Sequence, residues 1–240
     1  MPTVAVVIIG DEILTGKFAD ENGPFLIRRL RALGADLQRL VTIRDGVERI
    51  AEEVRAAAAG HDWVLTTGGV GPTHDDLTFE GVARAFEIPL EQRAELIARM
   101  LAYRMELNPM TLRMATLPQG AELVGLEQGH YPAVRVRNVF IFPGVPRLLQ
   151  QKFELIAARL AGAVVATARI YADDPEHEIA VHLDVVARAH PRVQIGSYPR
   201  YDEETGRLII TFEGPDQADV QQAVAAVAAG LRVRRVEGPG

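Results

Sequence analysis

The chain has 240 residues, 48% of them hydrophobic and 24% charged, with a formal net charge of −6 at pH 7; this is a soluble globular composition and excludes disordered and collagen-like classes. The acidic balance supplies no global field for nucleic acid or an anionic membrane, and the lack of cysteine excludes disulfides, thiolate metal sites and cysteine nucleophiles. No stretch approaches the ~20 apolar residues of a membrane helix, and Val4–Ile9 is too short, and too poor in preceding basic residues, for a signal core; a cytoplasmic chain without membrane or nucleic-acid partners is expected.

Val4 to Ile9 form a continuous, mostly β-branched run, the mark of a strand buried on both faces of a parallel sheet. After a loop over Gly10–Gly23, Pro24–Leu33 places Leu26, Leu30 and Leu33 at helical spacing, with Gly34 as the stop. A strand over Leu37–Ile43 and a helix over Val47–Ala59 follow. His61–Thr67 then reads as a third strand, running into the glycine-rich TTGGVGPTHDD. Phe79, Val82, Ala83 and Phe86 recur at i, i+3, i+4 and i+7, so a helix starts near Thr78. Glu91–Met105 and Met110–Leu117 read as helices, Tyr131–Phe142 as one or two strands, and Arg147–Leu160 as a closing helix. Alternation with short connections predicts a three-layer αβα domain with a mostly parallel sheet, over residues 1–165.

The remainder changes character. Ala168–Tyr171 reads as strand, Pro175–Ala189 as helix, Arg192–Tyr198 and Arg207–Phe212 as strands around a turn at Glu203–Gly206, and Asp216–Leu231 as helix. That βαββα order predicts a small α+β domain over residues 166–235, with Val236–Gly240 frayed. It has neither a G-x-x-G loop nor the aromatic-basic interleaving of single-strand binders.

Several motifs fail on spacing. GDEILTGK, Gly10 to Lys17, has five residues between its glycines where a P-loop has four, and Phe18 stands where the magnesium-binding hydroxyl belongs. His177 and His182 are five apart, about 140° around a helix, and cannot share a metal. The dinucleotide fingerprint lacks its third glycine, and no G-x-S-x-G is present. Only Lys17 and Lys152 among the 26 basic residues are lysine, so arginine is the default cation and single arginines carry little signal.

Ligands of such sheets bind beyond the carboxyl ends of the strands. There, Gly68, Gly69, Gly71 and Thr73 can turn bare backbone N–H groups toward a phosphate. The plainer reading of the glycines is a tight turn, but it leaves Asp75 and Asp76 unaccounted for. One aspartate could cap the next helix, as could Thr78; two exceed that need. Carboxylates beside a phosphate repel it unless a divalent cation, a sugar hydroxyl or a protonated ring nitrogen intervenes. Gly10, Asp11, Glu12, Thr15, Gly16 and Asn22 crowd the end of the first strand on the same edge, and Asp45 ends the second. Asn22 and Asp45 each also suit a helix cap. Pro143 and Gly144, in Pro143–Pro146, form a rigid turn at the end of another strand.

Taken together, IIGDEILTGKFADEN (Ile8–Asn22), the Arg44–Asp45 step, TTGGVGPTHDDLTFEGVA (Thr66–Ala83) and IFPGVP (Ile141–Pro146) resemble the molybdopterin-binding domain family. The branch is that of the amino-terminal domain of competence/damage-inducible protein A (CinA) and of the similar domain fused to FAD synthases. YPAVRVRNVFIFPGVP (Tyr131–Pro146) and IGSYP (Ile195–Pro199) resemble the FAD-synthase-like branch. The resemblance includes neither the amidohydrolase domain of many bacterial members nor an FAD-synthesising domain.

The resemblance implies a site for pterin or nucleotide phosphates and, in related domains, hydrolysis of ADP-ribose or FAD at the pyrophosphate, using a divalent metal (Mg, Mn or Co) with potassium. By carry-over Gly69, Gly71 and Thr73 would hold phosphate, and Asp11, Asp45, Asp75 and Asp76 would supply metal or hydroxyl contacts. The expectation is thus a metal-dependent nucleotide pyrophosphatase with Asp75 and Asp76 catalytic and Asp11, Asp45 and Asp76 at the metal. Its ligand contacts would come from Gly10, Asp11, Gly16, Asn22, Gly68, Gly69, Gly71, Thr73, Thr78, Pro143 and Gly144. The alternative is a module that binds molybdopterin or a nucleotide without turnover. A homo-oligomer is expected from the association common among such domains.

Overall fold

The structure, a computed structural model, describes residues 1–128, 131–202 and 206–238. It divides into two compact units, Met1–Gly162 and Ala163–Gly240.

In the first unit β1 (Thr3–Ile9), α1 (Asp11–Leu14), α2 (Asn22–Ala32), β2 (Asp36–Ile43), α3 (Val47–Gly60), β3 (Trp63–Thr67) and α4 (Thr78–Phe86) follow in order. Then come β4 (Leu90–Gln92), α5 (Ala94–Ala102), α6 (Pro109–Arg113), β5 (Thr116–Pro118), β6 (Glu122–Val124), β7 (Ala133–Val136), β8 (Val139–Phe142), α7 (Pro146–Glu154) and α8 (Ala157–Leu160). The main sheet has the order β2-β1-β3-β8-β7-β6, parallel from β2 to β8 and antiparallel across β7. Side chains on β1 alternate between two cores, as a two-residue period requires. Val4, Val6 and Ile8 pack with Leu26 and Leu30 of α2 and Leu149 and Phe153 of α7. Ala5, Val7 and Ile9 pack with Ile50 and Val54 of α3, Val82 of α4 and Leu96 of α5. Both faces of β1 are therefore dry, and the expected layered α/β architecture is present.

The order reverses at β1, with β2 on one side and β3 on the other. The carboxyl ends of β1 and β3 thus flank a topological switch point, the place where such sheets open a crevice.

Several local expectations are corrected. The loop over Gly10–Gly23 contains α1, because the Asp45 carboxylate accepts from the Asp11 N–H at 2.9 Å and satisfies its first turn. The helix expected over Glu91–Met105 begins as strand, since Leu90–Gln92 pairs with Thr116–Pro118; only Ala94–Ala102 is helical. That partner lies outside any local window, and it also takes the end of the expected Met110–Leu117 helix. What remains, α6, starts from an Asn108 capping box with proline in its first turn. β6, three residues paired with β7, was too short to show a period.

The second unit comprises β9 (Ala166–Ala172), α9 (Glu176–Ala189), β10 (Gln194–Asp202), β11 (Gly206–Gly214), α10 (Gln217–Ala228) and β12 (Val233–Glu237). Its antiparallel sheet has the order β10-β11-β9-β12. Ile170, Ile210, Phe212, Val220 and Val227 form its core. β12 corrects the expected fray, for Val236 and Glu237 pair with β9. Residues 203–205 of the expected turn, and Pro239 and Gly240, lie outside the described residues. Among the described residues no helix is long and apolar enough to cross a membrane.

Candidate active site

The glycine loop leaves β3 through two residues with positive φ, Gly68 at 103° and Gly69 at 62°. A Cβ at Gly68 would stand 2.0 Å from the Ile9 carbonyl oxygen, so the end of β1 allows no side chain there. Thr78, fully buried, fastens the loop from behind: its hydroxyl donates to Gly68 O at 2.7 Å and its N–H to Gly69 O at 2.9 Å. The first turn of α4 has no side-chain cap, so neither Asp76 nor Thr78 serves as one. Among the described residues the N–H groups of Gly69, Val70 and Gly71 have no partner in the protein. Successive N–H groups around a left-handed residue form the concave nest that receives anions.

Beside them the turn Thr73–Asp76 gathers two carboxylates on one hydroxyl. Thr73 Oγ1 lies 2.6 Å from Asp75 Oδ1 and 2.5 Å from Asp76 Oδ2, and the Thr73 N–H donates to Asp76 Oδ2 at 2.8 Å. One hydroxyl has one proton, so it serves only one of these acceptors. The Thr73 hydroxyl, and then the Asp75 N–H, hold the Asp75 carboxyl below the usual carboxylate range. The Asp76 carboxylate would lie 2.7 Å from a Cβ at Gly71, which is why that position carries none.

Arg113 of α6 clamps this turn, donating to Thr73 O at 2.9 Å, Asp76 O at 2.7 Å and Glu80 Oε1 at 2.9 Å. In so arginine-rich a chain, that role leaves no mark in the sequence.

Asp11 and Asp45 are arranged differently. Asp45 Oδ2 accepts from the Asp11 N–H at 2.9 Å, and Asp11 Oδ1 accepts from the Asp45 N–H at 3.3 Å, stapling the ends of β1 and β2. Burial raises the Asp45 carboxyl above its ordinary range, against the stabilising Asp11 N–H and with repulsion from Glu12, Asp11 and Asp75. Asp45 does not cap α3; Gly46 precedes that helix, while the Asp45 carboxylate serves α1 instead. Gly10 has room for the Glu12 carboxylate, which would lie 2.6 Å from a Cβ there. Gly16 (φ 72°) simply ends the α1 turn, in open space.

Asn22 is buried rather than capping. Its Nδ2 donates to Gly144 O at 2.7 Å and Thr67 Oγ1 at 3.0 Å, and Thr67 in turn donates to Pro143 O at 3.1 Å. Glu21 stands at the cap position of α2 without a side-chain hydrogen bond, while the Asp20 carboxylate before it accepts from the N–H groups of Asn22 and Gly23. Asn22 Oδ1 is left buried without a hydrogen-bond partner.

These loops border one cavity of about 920 Å³. One part of its wall is Gly68–Gly71, Asp76, Glu12 and the Pro143–Val145 turn; another is apolar, with Phe79, Met105, Met114, Tyr131 and Leu155, and Lys152 beside it. Asp11, Asp45, Asp75 and Asn22 are absent from this lining and flank or support it. Glu12, already noted at the end of β1, is a charged wall residue; Lys152 and Glu154 are charged wall residues that motif reading passed over. Among the described residues no three His, Cys, Asp or Glu side chains stand together as a ready-made metal site. Carboxylate oxygens nevertheless suit a hard divalent cation, and magnesium commonly takes one or two of them together with substrate phosphates.

The chain belongs to the molybdopterin-binding family: residues 5–163 match the model described as "Probable molybdopterin binding domain", and residues 164–238 match "FAD synthase, middle domain". A protein from Archaeoglobus fulgidus is 35% identical over 219 residues, covering 91% of this chain and 93% of that one. A "Probable FAD synthase" from Caenorhabditis briggsae is 33% identical over 240 residues; the match covers 88% of this chain but 46% of that relative, so this chain spans about half its length. Among solved structures, the CinA protein of Thermoplasma acidophilum, described as of unknown function, matches with a TM-score of 0.61 at 28% identity, over 66% of this chain and 98% of that one. The chain is thus CinA-like in its larger unit.

Proposed function

We propose that this chain is a divalent-metal-dependent nucleotide pyrophosphatase acting on ADP-ribose- or FAD-type substrates. The observation that carries the reading is the meeting, on one cavity wall, of the unpaired Gly69–Gly71 N–H groups with Asp76, which Asp75 flanks. The amides receive one phosphate, and the Pro143–Gly144 turn lines the same crevice. Asp75, kept ionised, attracts a cation; Asp76, which reaches the cavity, holds it against the phosphates. When bound, magnesium, manganese or cobalt supplies polarisation of a phosphoryl oxygen and a lowered pKa for water. The chemistry is attack of water oxygen on phosphorus, cleavage of the bridging P–O bond, and transfer of the water proton to a carboxylate of the pair. Potassium serves as an accompanying cation. The flavin end of the substrate range is supported by the match of residues 164–238 to the FAD synthase middle domain.

The test is a screen of ADP-ribose, FAD and related dinucleotides with each metal, following release of the monophosphates. Turnover that vanishes in Asp76→Asn is expected; intact substrates under every condition would remove the enzymatic reading. The absence of a preassembled three-residue metal group among the described residues favours a second reading, a binding module for molybdopterin or a nucleotide. Calorimetric binding without product would select it. Association into a homo-oligomer belongs to the proposal as well, and light scattering checks it.

A further inference from the structure

Lys152 is the basic residue of the cavity wall, and the proposed reaction does not use it. It is one of two lysines in a chain that otherwise uses arginine, and it sits on α7 with 8% of its surface exposed. Among the described residues it has no carboxylate partner. Its ammonium donates to the carbonyl oxygens of Tyr131 and, at 2.8 Å, Pro132, and lies 4.9 Å from the Tyr131 ring centre. The Tyr131 phenol in turn donates to Met114 O, so the amine and the ring are held as one rigid wall.

Burying a cation without a counter-ion is costly, and burial brings the amine down to about 8. Tying down two carbonyls does not require a full charge. An ammonium has three protons, and the protein's carbonyls take two of them. The third remains for something in the cavity. The surrounding wall, Phe79, Met105, Met114 and Tyr131, is aromatic and thioether, suited to the faces of a flat ring. The amine can only donate, so it recognises acceptors on that ring's edge.

We propose that Lys152 is a specificity-determining residue: its ammonium donates to a carbonyl oxygen on the edge of a planar heterocycle lodged in the apolar part of the cavity. The site then favours a flavin- or pterin-like ring over adenine, which has no ring carbonyl. The assignment rests on the reading above in one respect, that the ligand's phosphate lies at the glycine loop.

The experiment uses the full chain, without metal, and three monophosphates: FMN, AMP and ribose 5-phosphate. Calorimetry on the wild type is expected to show FMN bound about tenfold or more tightly than AMP, the scale of one hydrogen bond from a charged donor. Lys152→Met is expected to remove most of that preference while leaving ribose 5-phosphate affinity unchanged. In wild-type protein labelled with ¹³Cε-lysine the two lysines give two signals, and FMN is expected to move the Lys152 signal and not that of Lys17. Ribose 5-phosphate is expected to move neither.

Equal affinity for FMN and AMP, an FMN affinity untouched by Lys152→Met, or a Lys152 signal unmoved at saturating FMN overturns the assignment. The labelled wild type decides if the variant does not fold. Neither readout requires turnover: a chain that binds FMN in this way and cleaves no pyrophosphate would end the enzymatic reading and leave Lys152 assigned.

Discussion

Asp11 and Asp45 face each other across the ends of β1 and β2, each carboxylate accepting the other residue's backbone N–H, whereas Asp75 and Asp76 crowd the single hydroxyl of Thr73. The two pairs stand at the same sheet edge and are alike in residue type. They differ in what their lone pairs meet. The first pair spans two strand ends and holds them together. The second has more acceptor capacity than the protein supplies donors for, and Asp76 is on the cavity wall. What the carboxylates face, a neighbouring strand end in one pair and the cavity in the case of Asp76, separates a staple from a ligand site.

The largest effects should come from the second pair. If Asp76, on the cavity wall, is what holds the substrate's cation, Asp76→Asn should lower pyrophosphatase turnover by about 10²-fold or more, on the scale of removing a principal electrostatic contact in an active site. Thermal unfolding should move little, because the Thr73 N–H can still donate to the asparagine oxygen. Steady-state rates and a melting curve on one preparation check both halves. An Asp11→Asn variant losing as much activity with an unchanged melting temperature would erase the distinction between the pairs.

Next in size is the backbone that supports the second pair. Gly68→Ala places a methyl 2.0 Å from the Ile9 carbonyl at a φ of 103°, and should cost about 2 to 5 kcal/mol from strain and overpacking together. Gly16→Ala, at a similarly unfavourable φ of 72° but in open space, should cost only about 1 kcal/mol. Urea titration of the two variants separates steric need from conformational need. Smaller again is Arg113→Ala, expected to slow turnover about tenfold by freeing the Thr73 and Asp76 carbonyls, with KM for the metal rising more than kcat falls. Arg113→Lys should recover part of the loss.

The contrast between regions also governs how much was legible beforehand. β1 and β3 were readable because burial on both faces leaves an unbroken apolar run, and the glycine loop because positive φ and a close backbone approach admit few other residues. Asp75 and Asp76 stood out because two acids exceed the needs of one helix cap. Other features depend on chain-distant partners. β4 becomes a strand only when it meets β5, and the role of Asn22 is set by Gly144 and Thr67, not by the helix it begins. Arg113 was hidden by its own abundance as a residue type. Lys152 carried a faint compositional signal, a lysine where the chain elsewhere uses arginine, but nothing in sequence marked it as buried against a cavity. The activity itself is not legible in either: amides and acids at a rim define what can bind, and turnover has to be measured.

The smallest expected effect gives the sharpest division between the pairs, because it concerns sign. Asp45 has its carboxyl raised in the folded protein, so in the window between the ordinary carboxylate value and that raised value the native state binds more protons than the unfolded chain. Stability assigned to Asp45 therefore increases as pH falls through that window. Asp75 has its carboxyl lowered, so its contribution is present above the ordinary value and is lost as pH falls toward the lowered one. Asp45→Asn and Asp75→Asn should then alter the pH dependence of unfolding in opposite directions. Relative to wild type, Asp45→Asn should fare worse at about pH 3 than at neutral pH, and Asp75→Asn should fare better. The Asp45 difference should stay within about 1 kcal/mol at neutral pH, because asparagine still accepts from the Asp11 N–H. Urea unfolding of both variants at the two pH values measures it, and two differences of the same sign would mean that the staple and the crowded pair are not electrostatically distinct after all.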